Sequence, residues 1–190
     1  MKEGAERAKA ELGRSYKIKD LGEANLVLGI EIERDRQAGT ISISQYAYLK
    51  CVFDCFGMTD CNPSPTPIAL GMTLTKGQVP EADEDQKFMV DKLYREILGS
   101  IMYAQIAKQP DLSYAVSTHS KFASNPGESH WIALMRVLQY IKGTLDFKIT
   151  YGGEGHTDLT PVGYVDADYA GDLDSRRSCS GHVFIQAWEA

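Results

Sequence analysis

Asp166 and Asp168 are the residues best placed to do chemistry. They lie in Gly163-Tyr164-Val165-Asp166-Ala167-Asp168-Tyr169-Ala170-Gly171-Asp172, followed by Arg176-Arg177-Ser178 and Gly181. Alternation in this stretch predicts a strand, in which Asp166 and Asp168 point to the same face. A second strand is predicted from Gly181 to Gln186. Carboxylates converging on one face are what metal-assisted hydrolysis uses: two ions about 4 Å apart, one activating water and one stabilising the leaving oxygen. Taken locally, Asp166, Asp168, Asp172 and Asp174 also fit solvated turn residues. A calcium loop is excluded, because Ala170 and Arg177 stand where an oxygen ligand and a bidentate acid are needed.

The elements that must position these residues read as follows. Residues 2 to 14 form a helix ending near Gly13. Asn25 to Glu33 alternates as one strand, and Ile41 to Ser44 follows after a turn at Gly39, making a hairpin. Gln45 to Phe56 is a helix with Tyr48, Val52 and Phe56 on one stripe. Pro63, Pro65 and Pro67 force an extended segment. Residues 69 to 84 read as a loop or linker. Lys87 to Ala107 reads as one long helix with Leu93, Ile97, Ile101 and Ala104 inward. Pro110-Asp111 starts another, running to about Ala123. Ser129 caps a third, His130 to Lys142, with Trp131, Leu134, Leu138 and Ile141 inward. Phe147 to Tyr151 is a strand, and Gly152-Gly153-Glu154-Gly155 is the best domain boundary. The mixture is α+β.

Composition narrows the partners. Of 190 residues, 43% are hydrophobic and the net charge is -6. That charge argues against an autonomous, tight nucleic-acid binder, which needs clustered Lys and Arg. No apolar run is long enough for a bilayer, and Met1 to Lys17 lacks the apolar region of a secretory signal, so an intracellular chain (cytoplasm or nucleus, not secreted, no membrane) is expected. Cys51, Cys55, Cys61 and Cys179 fit neither a disulfide framework nor zinc spacing and read as small core residues. His119, His130, His156 and His182 show no ligand spacing and no nucleophile partner.

Several motifs run in a familiar order. Lys19-Asp20-Leu21-Gly22-Glu23, Leu28-Gly29-Ile30-Glu31-Ile32, Ser44-Gln45-Tyr46-Ala47-Tyr48 and Phe56-Gly57-Met58 with Thr66-Pro67 resemble the polymerase of Ty1/copia-type LTR retrotransposon Pol polyproteins. Tyr94-Arg95 with Leu98-Gly99-Ser100-Ile101-Met102-Tyr103, Pro110 to Val116, and Arg136 to Thr144 continue it, and the Asp166 stretch closes the series. Gln109 before Pro110 and Tyr169 depart from the usual Arg and Trp.

The resemblance implies the C-terminal part of a reverse transcriptase running into the start of a ribonuclease H. The implied units are residues 1–68, palm end with a primer-grip-like hairpin; 69–86, linker; 87–151, thumb and connection helices; and 160–190, a truncated ribonuclease H start. It makes Asp166 the first ribonuclease H carboxylate, a catalytic and metal ligand. Leu28, Gly29 and Ile30, with Arg136 and Lys142, become nucleic-acid contacts, the basic pair tracking phosphates unless they serve as solvated helix faces. Gly29 either allows close approach of a nucleic-acid strand or sits at a bulge in an ordinary hairpin. The parent family uses Mg²⁺, acts on an RNA–DNA hybrid or primer–template, and works with the remainder of the polyprotein. The polymerase Tyr-x-Asp-Asp motif and the later ribonuclease H ligands are absent from the 190 residues, so no stable metal binding and no nuclease activity are expected; a hybrid-binding module is the alternative. Exposure of Leu26, Leu28, Ile30 and Ile32 predicts aggregation or partial disorder in isolation.

Overall fold

The computed structural model describes residues 2–80, 87–153 and 160–186. Residues 81–86 of the expected linker, Glu154 and Gly155 of the Gly-rich break, and His156 lie outside these. The architecture is α+β. Helix α1 (Lys2–Ser15) precedes strands β1 (Leu26–Val27), β2 (Ile30–Asp35) and β3 (Thr40–Ser44). Helix α2 (Tyr46–Cys55) leads through the proline segment to a 3-10 turn at Lys76–Gln78. Then come α3 (Tyr94–Ala107), a 3-10 turn (Pro110–Leu112), α4 (Ser113–Ser120) and α5 (Glu128–Gly143). Strands β4 (Ile149–Gly152), β5 (Val162–Ala167) and β6 (Ser180–Ile185) close the chain.

The described residues form two antiparallel sheets. One has the order β1-β2-β3-β4, and the other pairs β5 with β6. Strand β4 joins β3 in the register Ile43↔Ile149 to Thr40↔Gly152, and the Ser42 and Thr150 hydroxyls meet at 2.8 Å. The first strand after the helices, β4, thus completes the sheet begun by the hairpin.

One core lies among α2, α3, α4 and α5. Leu49 and Phe53 of α2 pack with Ile97 and Ile101 of α3, Val116 of α4, and Leu134, Leu138 and Ile141 of α5. Tyr48 and Phe56, expected on the same stripe as Val52, sit at its margin. The proline segment is stitched to α5 by Ser64 N–H donating to Gln139 O at 3.0 Å. Gly143 lets Pro63 cross closely: a Cβ there would lie 3.3 Å from the proline ring, a tight contact.

The structure departs from the sequence reading at four places. Asn25–Glu33 is not one strand, because Leu28 and Gly29 turn the chain with φ of 52° and 78°. Lys87–Ala107 is not one helix. The chain leaves helical geometry after 89 and re-enters at Tyr94, with Leu93 exposed at the cap position. The break is set by packing: Tyr94 is buried against His119, while the Lys92 ammonium lies over the Phe88 and Trp131 rings at 5.2 and 5.4 Å. Ser129 does not cap α5; Gly127 does, with its N–H donating to His130 Nδ1 at 2.9 Å. This is the back-reach of a capping box, performed by an imidazole. Finally, three of the four cysteines are not core residues: Cys51, Cys55 and Cys179 are exposed, while Cys61 is half-buried against the core.

Candidate functional site

Asp166 sits one residue from the end of β5, paired with Gly181, and its Oδ1 accepts the Ala167 N–H at 2.9 Å. Asp168 lies just past the strand. Its N–H donates to Cys179 O at 3.0 Å, and its Oδ1 accepts the Cys179 N–H, so it clasps the mouth of the hairpin. Both carboxylates line a cleft of about 490 Å³ with Asp111, Tyr114 and Ser180. Asp111, in the 3-10 turn before α4, accepts the Tyr140 hydroxyl at 2.7 Å. Among the described residues, no group of three His, Cys, Asp or Glu side chains is placed to hold a metal ion. Mg²⁺ needs converging, near-octahedral oxygen ligands. The described residues do not supply that set.

Asp172 and Asp174 turn out to be docking residues. Asp172 Oδ2 meets Lys121 Nζ of the helical body at 2.7 Å, and its Oδ1 accepts the N–H groups of Asp174 and Ser175. The Lys121 hydrogen bond, helped by those N–H groups, holds the Asp172 carboxyl down at about 2. Asp174 accepts the Lys76 N–H on both oxygens, at 2.9 and 3.1 Å. The loop between β5 and β6 is thereby seated on the 3-10 turn and the end of α4.

The hairpin tip is built differently from the sequence expectation. Val27 pairs with Ile30, leaving a two-residue turn in which Leu28 and Gly29 both have positive φ. That is the pattern of a primed turn, whose twist matches the flanking strands. Two tyrosines brace it. The Tyr103 hydroxyl of α3 donates to Leu28 O, and Tyr48 of α2 packs edge-on against Tyr103 at 5.0 Å while donating to Ser100 O at 3.2 Å. The Leu28 side chain is 84% exposed, whereas Ile30 is half-buried. Gly29→Ala should destabilise the chain by about 1–2 kcal/mol, the cost of placing a Cβ in left-handed backbone. The added methyl would make only ordinary contact with Tyr48, at 3.7 Å. Urea denaturation measures this, and an unchanged midpoint would refute the turn geometry.

The basic residues are engaged within the fold. Arg136 donates to Thr66 Oγ1 at 3.0 Å, tying α5 to the proline segment. Lys142 donates to Thr59 O at 2.6 Å and lies over the Phe53 ring. Lys148 pairs with Glu33 at 2.6 Å. Gln109, where the resemblance expects Arg, is buried and donates to Thr144 Oγ1 at 2.8 Å.

Sequence reasoning missed the buried imidazoles. His119 is fully enclosed, with Nδ1 2.9 Å from the Tyr94 hydroxyl, and burial drives its pKa down to about 4. Burial also lowers His130, which packs 4.1 Å from Phe122 ring to ring. Their helical positions, each beside apolar stripe residues, were the available signal. His182 lies on β6 near Phe184.

Comparisons with known proteins agree with the order of motifs. The family model described as Reverse transcriptase (RNA-dependent DNA polymerase) matches residues 3–70. The Retrovirus-related Pol polyprotein from transposon TNT 1-94 of Nicotiana tabacum is 37% identical over 178 residues, 94% of this chain and 13% of that protein. The Secreted RxLR effector protein 161 of Plasmopara viticola is 46% identical over 91 residues, 48% of this chain and 63% of that protein. The Retrovirus-related Pol polyprotein from transposon RE2 of Arabidopsis thaliana is 35% identical over 175 residues, 90% of this chain and 11% of that protein. The chain therefore spans a small part of the Pol polyproteins it matches. No solved structure matches it. Among the described residues, no helix is long and apolar enough to cross a membrane. With motifs in family order from Lys19 to Asp166 and Pol polyprotein relatives aligned along nearly the whole chain, the protein belongs to the reverse transcriptase family of copia-type retrotransposon Pol polyproteins.

Proposed function

We propose that this chain is the stretch of a Pol polyprotein that links reverse transcriptase to ribonuclease H, and that it supports nucleic-acid positioning without catalysing a reaction by itself. In this reading the β1–β3 hairpin is the primer-grip end of the palm. Helices α3 to α5 are thumb and connection, and β5–β6 are the first strands of ribonuclease H. The braced Leu28–Gly29 turn carries the proposal. Two helices of the core fix a backbone corner and leave one apolar side chain projecting from it. Such a corner suits contact with the sugar face of a primer–template or RNA–DNA hybrid.

Asp166 is proposed as the first metal-ligating carboxylate of the parent ribonuclease H. When bound, Mg²⁺ supplies charge stabilisation and a nucleophilic water in such a site. Here one Asp166 oxygen accepts the neighbouring N–H and Asp168 is committed to the hairpin mouth. The purified chain should show no Mg²⁺-dependent cleavage of an RNA–DNA hybrid. Cleavage that disappears in Asp166→Asn would overturn this.

The same turn favours a second reading, a non-catalytic hybrid-binding module. Salt titration separates the two. Each phosphate neutralised adds about -0.9 to the slope of log affinity against log salt on B-form DNA. With Arg136, Lys142 and Lys148 tied to protein groups, a shallow slope and weak binding are expected. A slope as steep as about -4 would favour the binding module.

A further inference from the structure

Helix α2 turns Leu49, Val52 and Phe53 into the core and leaves Cys51 and Cys55 on its solvent side. One helical turn apart, the two sulfurs face each other at 4.0 Å. For metal–sulfur bonds of about 2.3 Å, that spacing subtends roughly 120° at the metal. Two corners of a trigonal site are therefore already in place, with no backbone movement required. Zinc is disfavoured because a structural zinc site wants four protein ligands, and no third His, Cys, Asp or Glu joins the pair among the described residues. A soft ion content with two or three ligands fits better, since thiolates select Cu(I).

We propose that Cys51 and Cys55 form a two-thiolate chelate for a soft monovalent d¹⁰ cation of the Cu(I) class, with a third position open to a solvent-borne ligand. Binding is ligand exchange without electron transfer. Two S–H bonds are lost, two sulfur–metal bonds form, and two protons pass to solvent for each ion bound. Because both thiols give up their protons on binding, uptake strengthens as pH rises. The site rests on helix geometry and is independent of the nucleic-acid reading.

The test is an anaerobic titration of the reduced full chain with Cu(I) presented as its bathocuproine disulfonate complex. The chain should withdraw one ion, with a rise in ultraviolet thiolate-to-metal absorption and release of two protons in weak buffer. Cys51→Ser and Cys55→Ser should each weaken uptake by at least about tenfold, and the double variant should abolish it. Cys61→Ser and Cys179→Ser should leave it unchanged. Serine is nearly isosteric and both positions are exposed, and circular dichroism verifies that each variant keeps its helices. No uptake by the wild-type chain, or equal uptake by the Cys51/Cys55 double variant, overturns the proposal.

Discussion

Phe53→Ala should lower the unfolding free energy by about 3–5 kcal/mol, the range for deleting a fully enclosed aromatic. Phe53 is 2% exposed and comes from α2, within the segment matched as reverse transcriptase. Most of the buried residues of the core it joins come from α3, α4 and α5, outside that segment. Lys142 also loses the ring beneath its ammonium. If one core joins the two stretches, the variant lowers a single urea transition seen alike by far-UV circular dichroism and by tyrosine fluorescence. Two separated transitions, or a loss below about 1 kcal/mol, would show that α2 folds apart from the later helices.

Acid should unfold the chain well before its carboxylates are exhausted. His119 titrates at an ordinary 6.5 when unfolded and at about 4 when buried. Between those values the unfolded chain takes up a proton that the folded chain refuses. The stabilisation is whole above 6.5 and is lost as pH falls toward 4, reaching about 3 kcal/mol from this one ring. His130 shifts in the same direction and adds to the loss. Asp172 acts lower down: its carboxyl, depressed from 3.8 to about 2, releases Lys121 only in that range. Urea midpoints measured from pH 7.5 to 4 should fall, and His119→Asn should flatten the slope while costing stability at neutral pH. A midpoint independent of pH across this window would contradict the burial of His119.

Much of this was legible in the residues. The prolines declared the extended segment, and helical stripes found α2 and α5 to within a residue or two. The β5–β6 hairpin followed from alternation about Asp166. The misses share a cause: local pattern cannot report what a distant partner demands. Leu26 to Ile32 alternates without interruption, and a leucine in left-handed backbone carries no turn signal, so the corner at Leu28–Gly29 was hidden. The stripe through Leu93, Ile97 and Ile101 runs smoothly past the true start of α3, which is set by Tyr94 reaching His119 across the core. At the carboxylate cleft, the types and the strand were readable. Their hydrogen bonds were not, because Asp168 and Asp172 are committed to Cys179 and Lys121 through tertiary approach. Cysteine chemistry alone points Cys51 and Cys55 inward, and the helix phase places them outside.

The pairing of β3 with β4 has a consequence for biogenesis. Ser42 waits for Thr150, 108 residues further along. At a ribosomal rate of about 5–20 residues per second, the outer edge of β3 stays uncovered for roughly 5–20 s after Ser42 has been made. During that time its N–H and C=O groups are an open template for another nascent chain. On a polysome, where copies emerge side by side, this interval is when mispairing between neighbours is most favoured, and the speed of elongation through α3 to α5 sets how long it lasts.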